Sequence, residues 1–280
     1  MLFDPVTPAP YVVDLPYPEG PTFDRDGRLY VCLRRSGSIV RYSAADSKEH
    51  ILSCAKPNGS KLHANGDLYV CDSIGRQVLA MNPAGVVRCV VDHFGGTPLL
   101  GPNDLIFDAG GGLFFTDPGT ELTAAVGAVY RLDVTGRLDK LVDGLLFPNG
   151  IALTPGDQAL LVAESSTGRI LQWELNAARM PASGMKVFAE LGTGIPDGIA
   201  LDVAGRLYVT LHGAGRVVVL DAHGQWIGDL NPNGNWPTNL AFWNNALYVT
   251  EDESASVQCL EIGVPGLPLY HQYLQLPTQH

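Results

Sequence analysis

Glu19, Asn58, Asn103, Asn149, Asp197 and Thr238 stand 39 to 48 residues apart, each just ahead of a short apolar run. All six carry side-chain oxygen, and two are carboxylates. Gathered at one point, they would suit a hard divalent cation such as Ca²⁺ or Mg²⁺ better than a structural zinc, because no Cys or His is among them. Two carboxylates about 4 Å apart repel by about 4 kcal/mol at an effective dielectric of 20, and a divalent cation reverses that sign. A purely local reading competes: Asn, Asp and Gly are turn formers, and each position follows a turn. Glu19 fits that reading least, since Glu is a poor turn residue.

The elements that would gather them are repeated. Between residues 195 and 221 the chain has three β-branched runs, at 199–201, 207–209 and 217–220, separated by Val-Ala-Gly and His-Gly-Ala-Gly turns. A fourth run at 226–230 follows Ala222-His223-Gly224. This is a four-stranded meander, too small to stand alone. Pro196-Asp197-Gly198-Ile199-Ala200-Leu201 has a near copy at Pro148-Asn149-Gly150-Ile151-Ala152-Leu153, and Gly205-Arg206-Leu207-Tyr208-Val209 has one at Gly27-Arg28-Leu29-Tyr30-Val31. Six such units predict an all-β fold, a six-bladed β-propeller of four-stranded antiparallel blades, forming one domain over 1–280. Residues 1–10 read as a loose arm. Residues 11–15 match the fourth strand of another unit and are expected to close the ring, with 269–276 competing for that place.

In a propeller the first strand of each blade lines the central channel, so the residue entering that strand sits at one mouth. Loops between second and third strands surround the same mouth. They hold Arg34 and Arg35, Asp72, Asp117 to Glu121, Glu164, His212, and Glu251-Asp252. Arg34 and Arg35 suit a substrate carboxylate or hydroxyl, and His212 suits proton relay near neutral pH. The plainer reading of each is a solvated loop side chain. Asp24-Arg25-Asp26-Gly27 lacks the twelve-residue spacing and closing Glu of a calcium loop, and reads as a turn.

Composition bounds the rest. Gly 32 and Pro 20 fall between apolar runs, as frequent turns require. The net charge of −11 and the absence of a Lys/Arg cluster argue against nucleic acid or an anionic membrane as partner. No apolar run nears the roughly 18 residues of a membrane span. The first residues show no basic and apolar leader. The five cysteines are odd in number and form no C-x-x-C, which fits small buried hydrophobes in a reducing cytoplasm. G-x-S-x-G, H-E-x-x-H and G-x-G-x-x-G are absent.

Glu19-Gly-Pro-Thr-Phe23, Gly101-Pro-Asn-Asp-Leu105, Phe115-Thr-Asp-Pro118, Phe147-Pro-Asn-Gly-Ile151 and Pro196-Asp-Gly-Ile-Ala-Leu201 resemble, in order, motifs of the senescence-marker-protein/gluconolactonase family of regucalcin-like lactonases. The resemblance spans five of the six units. It implies hydrolysis of a small-molecule lactone or ester with one divalent cation in the channel, calcium foremost, with magnesium, manganese and zinc as alternatives. It puts the metal ligands on Glu19, Asn149 and Asp197, a substrate-contacting Asn on Asn103, and an acidic substrate contact near Glu121. Arg35 and His212 complete the expected substrate-binding set. The implied chemistry has the cation polarising the carbonyl, Asp197 acting as general base and Asn103 orienting the reacting oxygen. Sugar lactonases of this kind carry Arg where this chain has Gly101, which counts against a sugar lactone. Another metal-dependent ester or phosphotriester hydrolase, or a non-catalytic calcium-binding or scaffold propeller, are the rival readings.

Overall fold

A computed structural model describes residues 6–270. Six four-stranded antiparallel sheets form the blades of a β-propeller. Their first strands are Pro18–Phe23, Pro57–Leu62, Leu105–Phe107, Pro148–Leu153, Ile195–Leu201 and Pro237–Trp243. The one helical element lying wholly within the described residues is a 3-10 turn at Pro155–Asp157. No helix among them is long and apolar enough to cross a membrane.

Each blade shares a hydrophobic layer with each neighbour. Leu68 and Val70 of blade two meet Tyr30 and Ile39 of blade one, and Phe107 and Phe115 of blade three meet Cys71 and Val78 of blade two. The same sharing continues through blades four, five and six and back to blade one. A second strand therefore has apolar neighbours on both faces. Leu29–Leu33, Leu-Tyr-Val-Cys-Leu, is buried at every residue. The outermost strands face solvent, as Lys48–Ser53 with its Lys, Glu and His does. Burial on both faces makes a second strand a continuous apolar run, whereas a fourth strand carries charged residues on its solvent side.

The ring closes through the N-terminus. Ala9–Val12 pairs with Ser256–Glu261 of blade six, with Ala9 opposite Cys259 and Val12 opposite Val257. The closing strand thus begins two residues before the expected 11–15 and takes in Ala9 and Pro10 from the supposed arm. It stops at Val12 because Asp14 turns to φ +60°, after which the Leu15 N–H donates to Ala255 O at 2.9 Å. Of the competing tail segment, 271–276 lie outside the described residues, as do 1–5 of the arm.

At the channel the blades are also tied by hydrogen bonds. Ser60 Oγ donates to Gly20 O, Gly59 N–H to Asn103 O, Thr116 Oγ1 to Asn149 O, Ser165 Oγ to Pro196 O, Thr210 Oγ1 to Thr238 O, and Thr238 Oγ1 to Pro18 O, all at 2.6–2.8 Å. One tie serves each of the six junctions, at the level of the entry residues. Asp24 is a turn residue as expected: its Oδ1 accepts from the N–H groups of Asp26 and Arg28.

Candidate active site

Five first strands share one irregularity. The ladder register shifts between Glu19 and Thr22, Pro57 and Ser60, Pro148 and Ile151, Pro196 and Ile199, and Pro237 and Leu240. In blade three the ladder starts only at Leu105, beyond Asn103 and Asp104. The break takes in the entry residue in blades two, four, five and six and begins just after it in blade one, where Glu19 still pairs with Cys32; it re-aims the side chains there, as bulges commonly do beside sites. The next residue is Gly in four blades. A Cβ on Gly150 would lie 2.3 Å from Asp197 O, so only glycine lets the first strands of blades four and five approach this closely.

Glu19, Asn58, Asn103 and Asn149 are buried, while Asp197 keeps partial contact with solvent. Burial pushes the Glu19 carboxyl up to about 7, against the Arg34 charge and the Gly20 N–H, which donates to Glu19 Oε2 at 3.1 Å. Burial, then the charge of Glu19, raises Asp197 well above the usual carboxylate range, although Arg34 and a hydrogen bond with Asn149 favour its ionised form. The two acids therefore stand within each other's field in a crowded setting. Asn149 Nδ2 donates to Ser165 Oγ at 3.2 Å, yet its Oδ1 is buried without a partner. Both polar atoms of Asn58, and Arg34 Nε, are in the same condition. Buried polar atoms are nearly always paired, so this concentration of orphans marks a place built for a polar or charged guest.

Among the described residues no group of three or more His, Cys, Asp and Glu is placed to hold a metal ion. The set at the mouth is of another kind, two carboxylates completed by amide oxygen. It fits a hard divalent cation: the orphaned Asn149 Oδ1 is an available donor, and the two acids repel without a counter-charge. Thr238 is not available, because its hydroxyl is spent on Pro18 O and Thr250 Oγ1.

Two polar channel residues escaped the sequence reading. Asp104 and Asn239 occupy the positions that are Gly in the other four blades, and that departure is the signal that could have found them. Asp104 is buried, its Oδ1 accepts the Leu105 N–H at 2.9 Å, and its charge acts on both Glu19 and Asp197. Asn239 hydrogen-bonds to Glu19.

The loop residues divide by role. Asp72 accepts the N–H groups of Ala55 and Lys56, Asp117 those of Leu100 and Gly101, Glu164 that of Leu146, and Glu251 that of Trp236. These four acids clamp the segment leading into their own blade and are not free for chemistry. In blades one and five Leu33 and Leu211 take that place, and the next residues are Arg34 and His212. Arg34 Nη1 is 3.9 Å from Glu19 Oε1, and its guanidinium lies over the Tyr17 ring at 5.2 Å. Arg35, the expected substrate contact, is exposed, and its charge acts on Asp252. His212 is held by a hydrogen bond to the Pro237 backbone beside Trp236; burial lowers its pKa, and its Nδ1 is an orphan. Glu121 is exposed on the 119–126 loop.

Residues 17–253 match the family described as the SMP-30/Gluconolactonase/LRE-like region. The chain belongs to that family. A gluconolactonase of Zymomonas mobilis is 28% identical over 277 residues, covering 86% of this chain and 77% of that protein. The lactonase drp35 of Staphylococcus aureus is 28% identical over 225 residues, covering 76% of this chain and 68% of its own. Family folds superpose closely: a gluconolactonase from Xanthomonas campestris has a TM-score of 0.82 at 24% identity, covering 93% of this chain and 90% of that one. Regucalcin of Agrobacterium tumefaciens, a calcium-binding protein, also reaches 0.82 at 21% identity, with 97% and 98% covered.

Proposed function

We propose that this protein is a divalent-metal-dependent lactonase whose reaction takes place at the Glu19 mouth of the channel. One observation carries the reading: Glu19 and Asp197, each disfavoured as an anion, share a buried site with the unpartnered Asn149 Oδ1. Lactonase relatives within the same family support it.

Glu19, Asn149 and Asp197 would hold the cation, which when bound supplies Lewis-acid polarisation of the lactone carbonyl. Asp197 keeps solvent contact and accepts the proton of an attacking water. Asn103 donates its amide N–H to the oxygen on which negative charge develops. Arg34 offsets the charge of Glu19 and Asp197 and offers its free Nε to the carboxylate product.

The mouth has two sides. Arg34, His212 and Asp252 lie on blades five, six and one, whereas blades two and three contribute the exposed Ile74, Leu122 and Val126. A lactone turned with its reacting group toward the first side places its body against the second, which favours an apolar ring over a polyol. Gly101 agrees with that choice. Its φ is +154°, and a Cβ at this position would stand 3.0 Å from Ser73 O, so the strained backbone and the tight contact both disfavour the Arg of the sugar lactonases. The test is a pH-indicator assay over alkyl and aromatic γ- and δ-lactones, sugar lactones, aryl esters and a phosphotriester, with and without chelator. Turnover of an apolar lactone, lost on chelation and restored by Ca²⁺ or another divalent ion, is expected. Absence of activity on every lactone would end the proposal, and a preference for the phosphotriester would reassign the site.

A further inference from the structure

The opposite end of the channel holds a second cavity that none of Glu19, Asn103, Asn149 or Asp197 lines. It has a volume of about 240 Å³. Its walls are the far halves of the first strands, about 10–13 Å from the entry residues at 3.3 Å per residue. Ile106, Ala152, Ala200 and Ala241 stand around it at equivalent positions, and Trp243 borders it. The 265–269 segment forms part of the wall. It is fixed there by Leu267 N–H donating to Leu201 O at 2.8 Å and by Val203 N–H donating to Pro265 O at 3.2 Å.

Two positions in this equivalent ring break the apolar pattern, and they are on adjacent blades. Lys61 is the only charged residue lining the cavity among the described residues. Its Nζ has a single hydrogen bond, to Ser60 O at 3.2 Å, and no carboxylate within ion-pair distance among the described residues. Thr22 is 1% exposed, and its Oγ1 has no partner among the described residues. A buried hydroxyl without a partner is costly, and an ammonium facing an apolar cavity gains most from an anion. Neither is needed for packing, since the other four blades put Ile or Ala at the same place.

We infer that this cavity is a binding site for a small apolar monocarboxylate, its carboxylate held by Lys61 and Thr22 and its body by the Ile and Ala ring. At about 30 Å³ for each water-sized group, the volume takes roughly eight heavy atoms, enough for the alkyl chain of a medium-chain fatty acid or the ring of an aryl acid, with the carboxylate at the Lys61 and Thr22 wall. The site has the usual form of a ligand pocket, apolar walls with a few convergent polar atoms. Because it lies beyond the reacting residues, it is independent of the lactonase reading.

Calorimetric titration with octanoate, and with octanamide as its uncharged counterpart, tests this. Wild type is expected to bind one octanoate with a rise in melting temperature. Lys61→Met should weaken octanoate at least tenfold and leave octanamide within about twofold. Thr22→Val should weaken octanoate in the same direction. Ala152→Leu combined with Ala200→Leu fills the cavity and should remove both ligands, whereas Asp197→Asn should keep both. Melting and circular dichroism establish that each variant is folded. The inference fails if wild type shows no saturable octanoate binding. It also fails if binding survives in folded Lys61→Met but is lost in Asp197→Asn, which would mark the ligand as a product at the other mouth.

Discussion

Arg34 Nη1 lies 3.9 Å from Glu19 Oε1, while Arg34 Nε is buried with no partner. The guanidinium is near enough to offset the carboxylate and too far for a tight ion pair. It occupies the field that a cation bound by Glu19 and Asp197 would feel. Arg34→Met therefore separates two roles. Metal affinity should rise, roughly tenfold, as a like charge is withdrawn. Turnover should fall, because the free Nε no longer meets the substrate. Calcium titration calorimetry beside steady-state kinetics reads both, and weaker calcium binding in Arg34→Met would show that the cation lies elsewhere.

Metal removal should be visible without any substrate. A ligand that binds only the native state stabilises it by about 2.7 kcal/mol at a hundredfold excess over Kd. For a chain of this size that amounts to several degrees of melting temperature. Chelator should lower the transition, Ca²⁺ or Mn²⁺ should restore it, and Glu19→Gln should blunt the response. An identical melting curve with chelator and with excess Ca²⁺ would leave the site without a metal.

Glu164 links blade four to acid stability. Burial opposes its charge, but hydrogen bonds from Thr167 Oγ1, Leu146 N–H and Arg169 outweigh burial and hold its carboxyl below 4.5. A carboxylate depressed in the fold is protonated first in the unfolded chain as pH falls. The unfolded chain then binds more protons, and stability drops. The contribution is thus complete above about pH 4.5 and fades below it. Urea midpoints measured from pH 6 to pH 3 should decline less steeply for Glu164→Gln than for wild type. Parallel declines would show that this clamp adds nothing to the acid limb.

Ring closure depends on one side chain more than its strand suggests. Leu15 lies past the end of the closing strand and is fully buried between blades six and one. Leu15→Ala should cost about 2–5 kcal/mol, the range for emptying a packed leucine site. Chemical denaturation measures it, and a loss below 1 kcal/mol would mean that the closing segment contributes little.

The architecture was readable because each blade repeats the same apolar runs between Gly-rich turns, so six weak signals carried one period. The closing strand runs from Ala9 to Val12 rather than over 11–15, and it ends three residues early because Asp14 adopts a left-handed backbone that composition does not announce. In the channel, the entry residues were visible through the same period. Asp104 and Asn239 are less visible, because they stand one residue after the recurring position, where Gly gives way in two blades only. Asp72, Asp117, Glu164 and Glu251 look like site acids in the sequence. Their clamp role depends on N–H groups about 15 to 18 residues away in sequence, which only the folded chain brings near. Between the adjacent Arg34 and Arg35 the sequence favours Arg35, whereas the fold sets Arg34 beside Glu19, because which of two neighbouring side chains points inward is decided by the folded loop.

Asp197 should be the most sensitive residue in lactone hydrolysis. It is the carboxylate of the pair that retains solvent contact, so water can reach it while Glu19 stays buried. Asp197→Asn keeps the shape and one ligand oxygen but removes the charge and the basicity. Loss of general-base assistance alone should lower kcat by about 10²–10⁴. Weaker metal binding would add to this, so the comparison belongs at saturating metal. Asn103→Ala should also lower kcat, yet leave calcium affinity nearly unchanged, because its proposed partner is the reacting oxygen. The pair of variants distinguishes proton transfer from oxyanion stabilisation: raising the pH should partly rescue Asp197→Asn, as hydroxide replaces the missing base, and should not rescue Asn103→Ala. Full activity of metal-saturated Asp197→Asn would remove Asp197 from proton transfer. Equal loss of calcium affinity in both variants would instead make Asn103 a ligand of the metal.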